Sequence, residues 1–292
     1  MTKRSVIITT SILVGIAMIF TILFGVVFRV RDISVRYEDD FCYKTQINEI
    51  LSSSKLKKNT SIFSIDRKQI KHNIELNYPY AKAEVNISSF TSVKITLTNR
   101  EPLYYIAQNE RCFILDEQCK ILEVISVQDY NAKGYKYILL DNVFNVSEDA
   151  FAGQFLSGKY VNLFNSLYNS LYSNAVLNIG EDVDNDGELD EKYLDRADMC
   201  DILTSIKFVQ ESELYGKVDK LVMTTSYGVK LTIIEPQKGL DNKVNMAFSA
   251  LRQLIKNDKQ NSTTLSTSGT INVDYRYDES GVASLICEYR ND

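Results

Sequence analysis

The sequence predicts an α+β chain: an N-terminal transmembrane helix, a small domain in the order strand-helix-helix-strand-strand, then a mainly antiparallel β domain with flanking helices. Three observations predict it. Residues 5–28 run SVIITTSILVGIAMIFTILFGVVF without a charge. Between Val30 and Thr98 the apolar period passes from two to about 3.6 and back to two, the mark of strand, helices and strands. Beyond Leu103 short alternating runs recur around two long amphipathic stretches. The expected divisions are a tail over 1–4, the membrane helix over 5–28, the small domain over 29–101 and the β domain over 102–292.

The uncharged run, taken as a helix, measures about 36 Å against a hydrocarbon core of roughly 30 Å, so it predicts a span with room for tilt. A secretory signal is the rival, but its apolar part is shorter and ends at a small-residue cleavage site, and neither holds here. Lys3 and Arg4 face Arg29 and Arg31 across the run, so the positive-inside bias nearly cancels. The very short leading tail implies a cytoplasmic N-terminus with the bulk outside.

VRDISVRY (Val30 to Tyr37) alternates as a short strand. Ile47, Ile50 and Leu51 form one apolar stripe, and Lys55 to Asn59 a polar turn. Asp66 with Gln69 three places on resembles a capping box for a helix bearing Ile70 and Ile74, which Pro79 stops. AKAEVNI and VKITLT alternate on either side of a Ser/Thr turn and predict a hairpin. Farther on, Val161, Phe164, Leu167, Tyr168 and Leu171 lie at helical spacing between Lys159 and Tyr172. KLVMTTSYGVKLTII predicts a hairpin turning near Tyr227 and Gly228. Asp241 is placed to cap a helix carrying Val244, Phe248, Leu251 and Ile255, and the chain closes on two strands.

At 292 residues, with 45% apolar and 24% charged residues, the chain has the composition of a folded protein of two modest domains behind an anchor. A net charge of −5 gives no reason to expect nucleic acid. Basic residues outnumber acidic ones from Lys44 to Arg100, whereas Glu181 to Asp198 is dense in carboxylates opposed only by Lys192 and Arg196. The five cysteines (Cys42, Cys112, Cys119, Cys200, Cys287) have neither zinc-site spacing nor the density of a disulfide framework. Cys112 and Cys119 flank a turn at Asp116 to Gln118 in a register that sets Cys119 opposite Asp116, so no disulfide between them is expected.

Several segments together carry a family likeness: KNTSIFSIDRKQI (Lys58 to Ile70), YPYAKAEVNIS around Pro79, VKITLT, the triplet Arg100-Glu101-Pro102, and FILDEQCKILE (Phe113 to Glu123). With an anchor ending just before the first strand, they resemble the bacterial cell-division family FtsQ/DivIB, whose outer part is a POTRA domain followed by a β domain. Lys243 in the helix after the strand and INVDYRYDESGVASLICEY (Ile271 to Tyr289) extend the resemblance through most of the chain. The usual hairpin Gly is replaced by Gln118 or Cys119, and the acidic insertion at about 181–198 matches no family feature.

The resemblance implies a non-enzymatic, single-pass membrane scaffold at the division septum, binding FtsB (DivIC)-like and FtsL-like proteins to assemble septal wall synthesis. It implies that a partner segment adds a strand beside the last strand, at Tyr277, Ser280, Gly281, Val282, Ala283, Ser284 and Leu285. A bare edge suits that role, because unpaired N–H and C=O groups template an incoming strand; the alternative is that these residues only pack the domain. The basic surface of the POTRA region is a candidate for anionic lipid or wall polymer.

The sharpest chemical motif is DVDNDGELDEKYL, where Asp182, Asp184, Asp186, Glu188 and Asp190 form a candidate calcium site. Carboxylates at loop positions one, three and five and Gly187 at six match an EF-hand start, but Tyr193 replaces the bidentate Glu at twelve, and a solvated acidic loop is the alternative. A calcium-dependent extracellular module is thus one rival to the scaffold. A membrane-tethered cell-wall enzyme is the other. His72 is the only histidine, and Ser52 to Lys55 form an S-x-x-K without its S-D-N and K-T-G companions, so no catalytic residue is expected.

Overall fold

The computed structural model describes residues 3–22, 27–174, 196–213, 216–261, 269–277 and 283–291. The chain divides into two compact units, Met1–Arg100 and Glu101–Asp292, one residue from the expected boundary.

Unit 1 opens with helix α1 (Lys3–Ile22). Its side chains from Ile12 to Ile22 include Leu13, Ile16, Met18, Ile19 and Phe20, all exposed and apolar. Among the described residues no helix is long and apolar enough to cross a membrane. The transmembrane helix expected over 5–28 therefore rests on the sequence. At its expected end the Phe28 carbonyl accepts from Ile62 N at 2.9 Å, which ties that residue to the fold that follows.

That fold runs β1 (Asp32–Tyr37), α2 (Ile47–Ser53), α3 (Arg67–Asn77), β2 (Ala81–Ser89) and β3 (Ser92–Asn99), the expected order. The three strands lie in the order β1-β3-β2, with β1 parallel and β2 antiparallel to the central strand. Period-two alternation turns Ala81, Ala83 and Val85 of β2 and Val93, Ile95 and Leu97 of β3 to one buried face. Ile50 of α2 and Ile70 and Ile74 of α3 close that face. Only half of the expected capping box forms. The Asp66 carboxylate accepts from Lys68 N and Gln69 N at 3.0 Å each, but the Gln69 amide turns forward to Asn73 instead of back to residue 66. Within the S-x-x-K, Ser52 and Lys55 are exposed, while Ser54 between them is buried and its hydroxyl donates to the Leu51 carbonyl at 2.6 Å.

Unit 2 holds β4 (Tyr104–Gln108), β5 (Arg111–Leu115), β6 (Ile121–Ser126), α4 (Val127–Lys133), β7 (Ile138–Asp141) and α5 (Val161–Asn174). It continues with α6 (Arg196–Ile202), β8 (Leu203–Glu213), β9 (Gly216–Thr225), β10 (Lys230–Ile234), α7 (Leu240–Asn261), β11 (Gly269–Tyr277) and β12 (Ala283–Asn291). Its nine-stranded sheet has the order β12-β11-β10-β9-β8-β7-β4-β5-β6. Most neighbours are antiparallel, as expected, but β4·β7, β7·β8 and β10·β11 are parallel. The helices are the reason. A parallel neighbour needs a long crossover, and α7 supplies it between β10 and β11, as the segment containing α5 does between β7 and β8. Phe164, Leu167 and Leu171 of α5 and Val244, Phe248 and Leu251 of α7 then share one core with Leu221, Met223, Leu231, Ile233, Ile271 and Val273 of the sheet.

Two expectations need correction here. Asp241 does not cap α7: the helix starts at Leu240, and the Asp241 carboxylate in its first turn accepts from the Ser170 hydroxyl of α5. In the β5–β6 turn Asp116 N pairs with the Lys120 carbonyl, while Cys119 takes φ +58° where a glycine would be at ease. The buried Asp116 carboxylate holds that turn by accepting from Gln118 N at 2.9 Å and Lys120 N at 2.8 Å. The end of the acidic insertion is helical, and Arg196 at the start of α6 pairs with Glu101 at 2.8 Å and Glu117 at 2.9 Å. All five cysteines are free thiols.

Burial keeps a group of acids neutral in unit 2. It pushes the Cys112 thiol up to about 11 and Tyr137 up to about 12, and it raises Cys119, Tyr104 and Tyr130 as well. When unfolded these groups ionise near their ordinary values of 9.0 for Cys and 10.0 for Tyr. Their contribution to stability is therefore intact below about pH 9 and lost as the pH rises through the folded values. The urea midpoint of unit 2, followed by tyrosine fluorescence, should fall steadily between about pH 8.5 and 11; a flat midpoint over that range would contradict it.

Candidate partner-binding edge

The two closing strands fold back on each other because β11 and β12 both alternate apolar and polar residues and register without a slip from Gly269↔Asn291 to Tyr277↔Ala283. In that register Val273 faces Cys287, Tyr275 faces Leu285 and Ile271 faces Tyr289. Leu285 and Cys287 are half-buried against the core, and burial raises the Cys287 thiol above its ordinary value. The intervening positions Ser284, Ile286, Glu288 and Arg290 belong to the opposite face, opposite Arg276, Asp274, Asn272 and Thr270.

β12 ends the sheet. Among the described residues no strand pairs with its outer side. A groove of about 460 Å³ runs between α7 and β12, lined by Met246, Ala250, Gln253 and Leu254 from the helix and Cys287 and Tyr289 from the strand. Across the sheet a second groove, of about 290 Å³, is lined by Lys220, Asp274, Arg276, Glu288 and Arg290. Glu288 binds both arginines there, Arg290 at 3.3 Å. The edge strand thus stands between an apolar groove and a charged one.

Lys243 supports this corner from beneath. Its side chain is fully buried, and its ammonium donates to the carbonyls of Ile234 and, at 3.3 Å, Glu235, where the chain leaves β10 at φ +46°. Asp274 of β11 lies 3.5 Å away, and the ring of Tyr275 5.0 Å away. Burial draws the ammonium below its usual pKa, and the charge of Asp274 opposes that. Close contact fixes the tyrosines as well: a Cβ on Gly239, which has φ +63°, would come within 2.6 Å of the Tyr275 hydroxyl, and one on Gly269 would meet the Tyr289 ring.

Of the expected binding residues, Tyr277, Ala283, Ser284 and Leu285 come together at the Tyr277↔Ala283 end of the β11–β12 pair. Ser284 Oγ donates to the Arg276 carbonyl at 3.3 Å. Ser280, Gly281 and Val282 lie outside the described residues, as do Asp182, Asp184, Asp186, Glu188 and Asp190 of the calcium motif. Among the described residues no group of three His, Cys, Asp or Glu side chains is placed to hold a metal. His72 is exposed on α3.

Sequence reasoning missed the groove wall on α7. Met246, Ala250 and Leu254 follow helical spacing beside the core stripe of Val244, Phe248 and Leu251 and pack against the same core, so the apolar face of the helix is wider than the stripe that was singled out. No protein-family model matches the chain, and no curated protein does so.

Proposed function

We propose that this protein is a bitopic scaffold of bacterial cell division, akin to FtsQ/DivIB, and that it acts by binding and not by catalysis. Residues 5–28 anchor it in the cytoplasmic membrane with the N-terminus inside, the part of unit 1 beyond them is its POTRA domain and unit 2 its β domain, both outside. FtsB/DivIC-like and FtsL-like proteins are the partners, held so that septal wall synthesis assembles where the anchor has brought them together.

One observation carries this reading: β12 closes the sheet with an outer side that no described strand pairs, between an apolar groove and a charged one. An added strand gains main-chain hydrogen bonds from the edge, while its alternate side chains enter one groove or the other. A partner strand of alternating apolar and charged residues fits. The exposed apolar side chains of α1 support the anchor.

Successive residues of a strand aim their N–H groups to opposite sides, so of Ser284→Pro and Leu285→Pro one removes an outward donor and the other breaks the ladder to β11. The full chain, extracted in mild detergent, should recover small membrane-anchored coiled-coil proteins. The variant that keeps its wild-type melting behaviour should lose them. Undiminished recovery by a folded proline variant would rule out strand addition at β12.

A further inference from the structure

We propose that Phe28, Phe63 and Phe90 form an aromatic foot that seats unit 1 in the lipid interface at the outer mouth of its own anchor; this rests on the reading that residues 5–28 cross the membrane. The three rings come from three separate places in the chain. Phe28 closes the uncharged run, Phe63 lies in the short helical turn Ile62–Ser64, and Phe90 lies in the turn between β2 and β3. Each of the latter two packs edge-on against Phe28 with centroids 5.3 Å apart.

Two turns that should prefer small polar residues instead present phenylalanine to the outside, with Phe63 59% and Phe90 68% exposed. Ile87, on β2 just before the second turn, is exposed as well. The backbone makes the cluster rigid. Ile62 N donates to the Phe28 carbonyl at 2.9 Å, Val30 N to the Thr60 carbonyl at 2.9 Å, and Arg31 N to the Thr91 carbonyl at 2.8 Å. The chain leaving the anchor is thereby stitched to both aromatic turns.

Depth follows from these distances. The last apolar residue before Arg29 and Arg31 lies at the boundary between hydrocarbon and headgroups, a zone roughly 5–10 Å deep. Rings centred 5.3 Å from Phe28 lie in the same zone. Arg29 and Arg31 are exposed beside them, where lipid phosphates neutralise their charge. The ligand is the surface of the bilayer that holds the anchor. Seating in it limits how far unit 1 can tilt.

The sequence contains no tryptophan, so a single one reports its own surroundings. The test is the full chain reconstituted in phosphatidylglycerol and phosphatidylethanolamine vesicles, as Phe63→Trp, Phe90→Trp, Phe20→Trp and Tyr37→Trp, quenched by lipids brominated at defined acyl depths. Tyr37 ends β1 at the other end of the sheet from Phe90, about 17 Å along the strand from the Asp32↔Ser92 pair. Tryptophan at 63 and 90 should emit to the blue of Tyr37→Trp and be quenched several-fold more strongly, best by bromines near the headgroup. If Phe20→Trp is quenched while 63 and 90 behave like Tyr37→Trp, the foot is wrong and the anchor stands. Blue emission without quenching at 63 and 90 places those rings against protein and also overturns the proposal. If Phe20→Trp too is unquenched, the anchor fails and the foot with it.

Discussion

Arg100→Ala is expected to destabilise unit 1 by about 3–5 kcal/mol, the usual cost of leaving a buried charge without its partner. Arg100 and Glu75 meet at 3.0 Å with side chains only 1% and 4% exposed. Each is also built into the backbone around it. Glu75 Oε1 accepts from Ala83 N at 2.9 Å, while Arg100 Nε donates to the Ala81 carbonyl at 3.2 Å and Arg100 N to the Tyr80 carbonyl at 2.7 Å. The pair therefore ties α3 to the start of β2 and to the chain just past β3. Lys71, 3.7 Å from Glu75 and half exposed, is too far out to replace the guanidinium. Glu75→Gln with Arg100→Met should cost much less than Arg100→Ala alone, because no buried charge is left unpaired. Hydrogen exchange on the full chain measures this unit by unit: protection of Ala83 and Ile95 should collapse in the single variant while that of Leu231 holds. Equal protection in wild type and Arg100→Ala would show that the pair is not what secures α3.

Lys243→Met should destabilise the β10–α7–β11 corner by about 2–4 kcal/mol, since two backbone carbonyls lose a charged donor in a place closed to water. Methionine keeps most of the apolar stem, so the loss reports the ammonium and not a cavity. Asp274 is 38% exposed and is solvated without it, which keeps the cost below that of a wholly buried pair. The corner holds up the strand beside β12, so the effect should reach function. Urea denaturation reads the stability, and recovery of partner proteins in the pull-down should fall along with it. Full partner recovery with a stability loss of the expected size would separate the corner from the edge.

Much of unit 1 was legible in the sequence because its signals are local. Ile70 and Ile74 at helical spacing, Pro79 after them, and the alternation of β2 and β3 are each properties of a few neighbouring residues. Gln69 shows the limit even there: its capping partner was in reach, but Asn73 one turn on offered another. In unit 2 the helices α5 and α7 and the closing hairpin were readable in the same way, whereas the neighbours of each strand were not. Which strands lie parallel depends on where a helix returns the chain, and no window of sequence holds both ends of that crossover. The edge residues Ala283, Ser284 and Leu285 were found through the family resemblance, but their setting between two grooves depends on Met246, Leu254, Arg276 and Arg290 from elsewhere in unit 2.

By itself, then, the sequence determined the apolar run, the type and order of the elements in unit 1, and most core faces, because the period of hydrophobic residues and the chemistry of caps and turns act over a few positions. Only the tertiary structure decided that β12 is an outer strand, that Lys243 and Asp241 bind across elements, that Arg100 is a buried partner of Glu75, and that three distant phenylalanines meet at one point. Each of these is a contact between residues far apart in the chain, set by how whole helices and strands pack and absent from any local pattern.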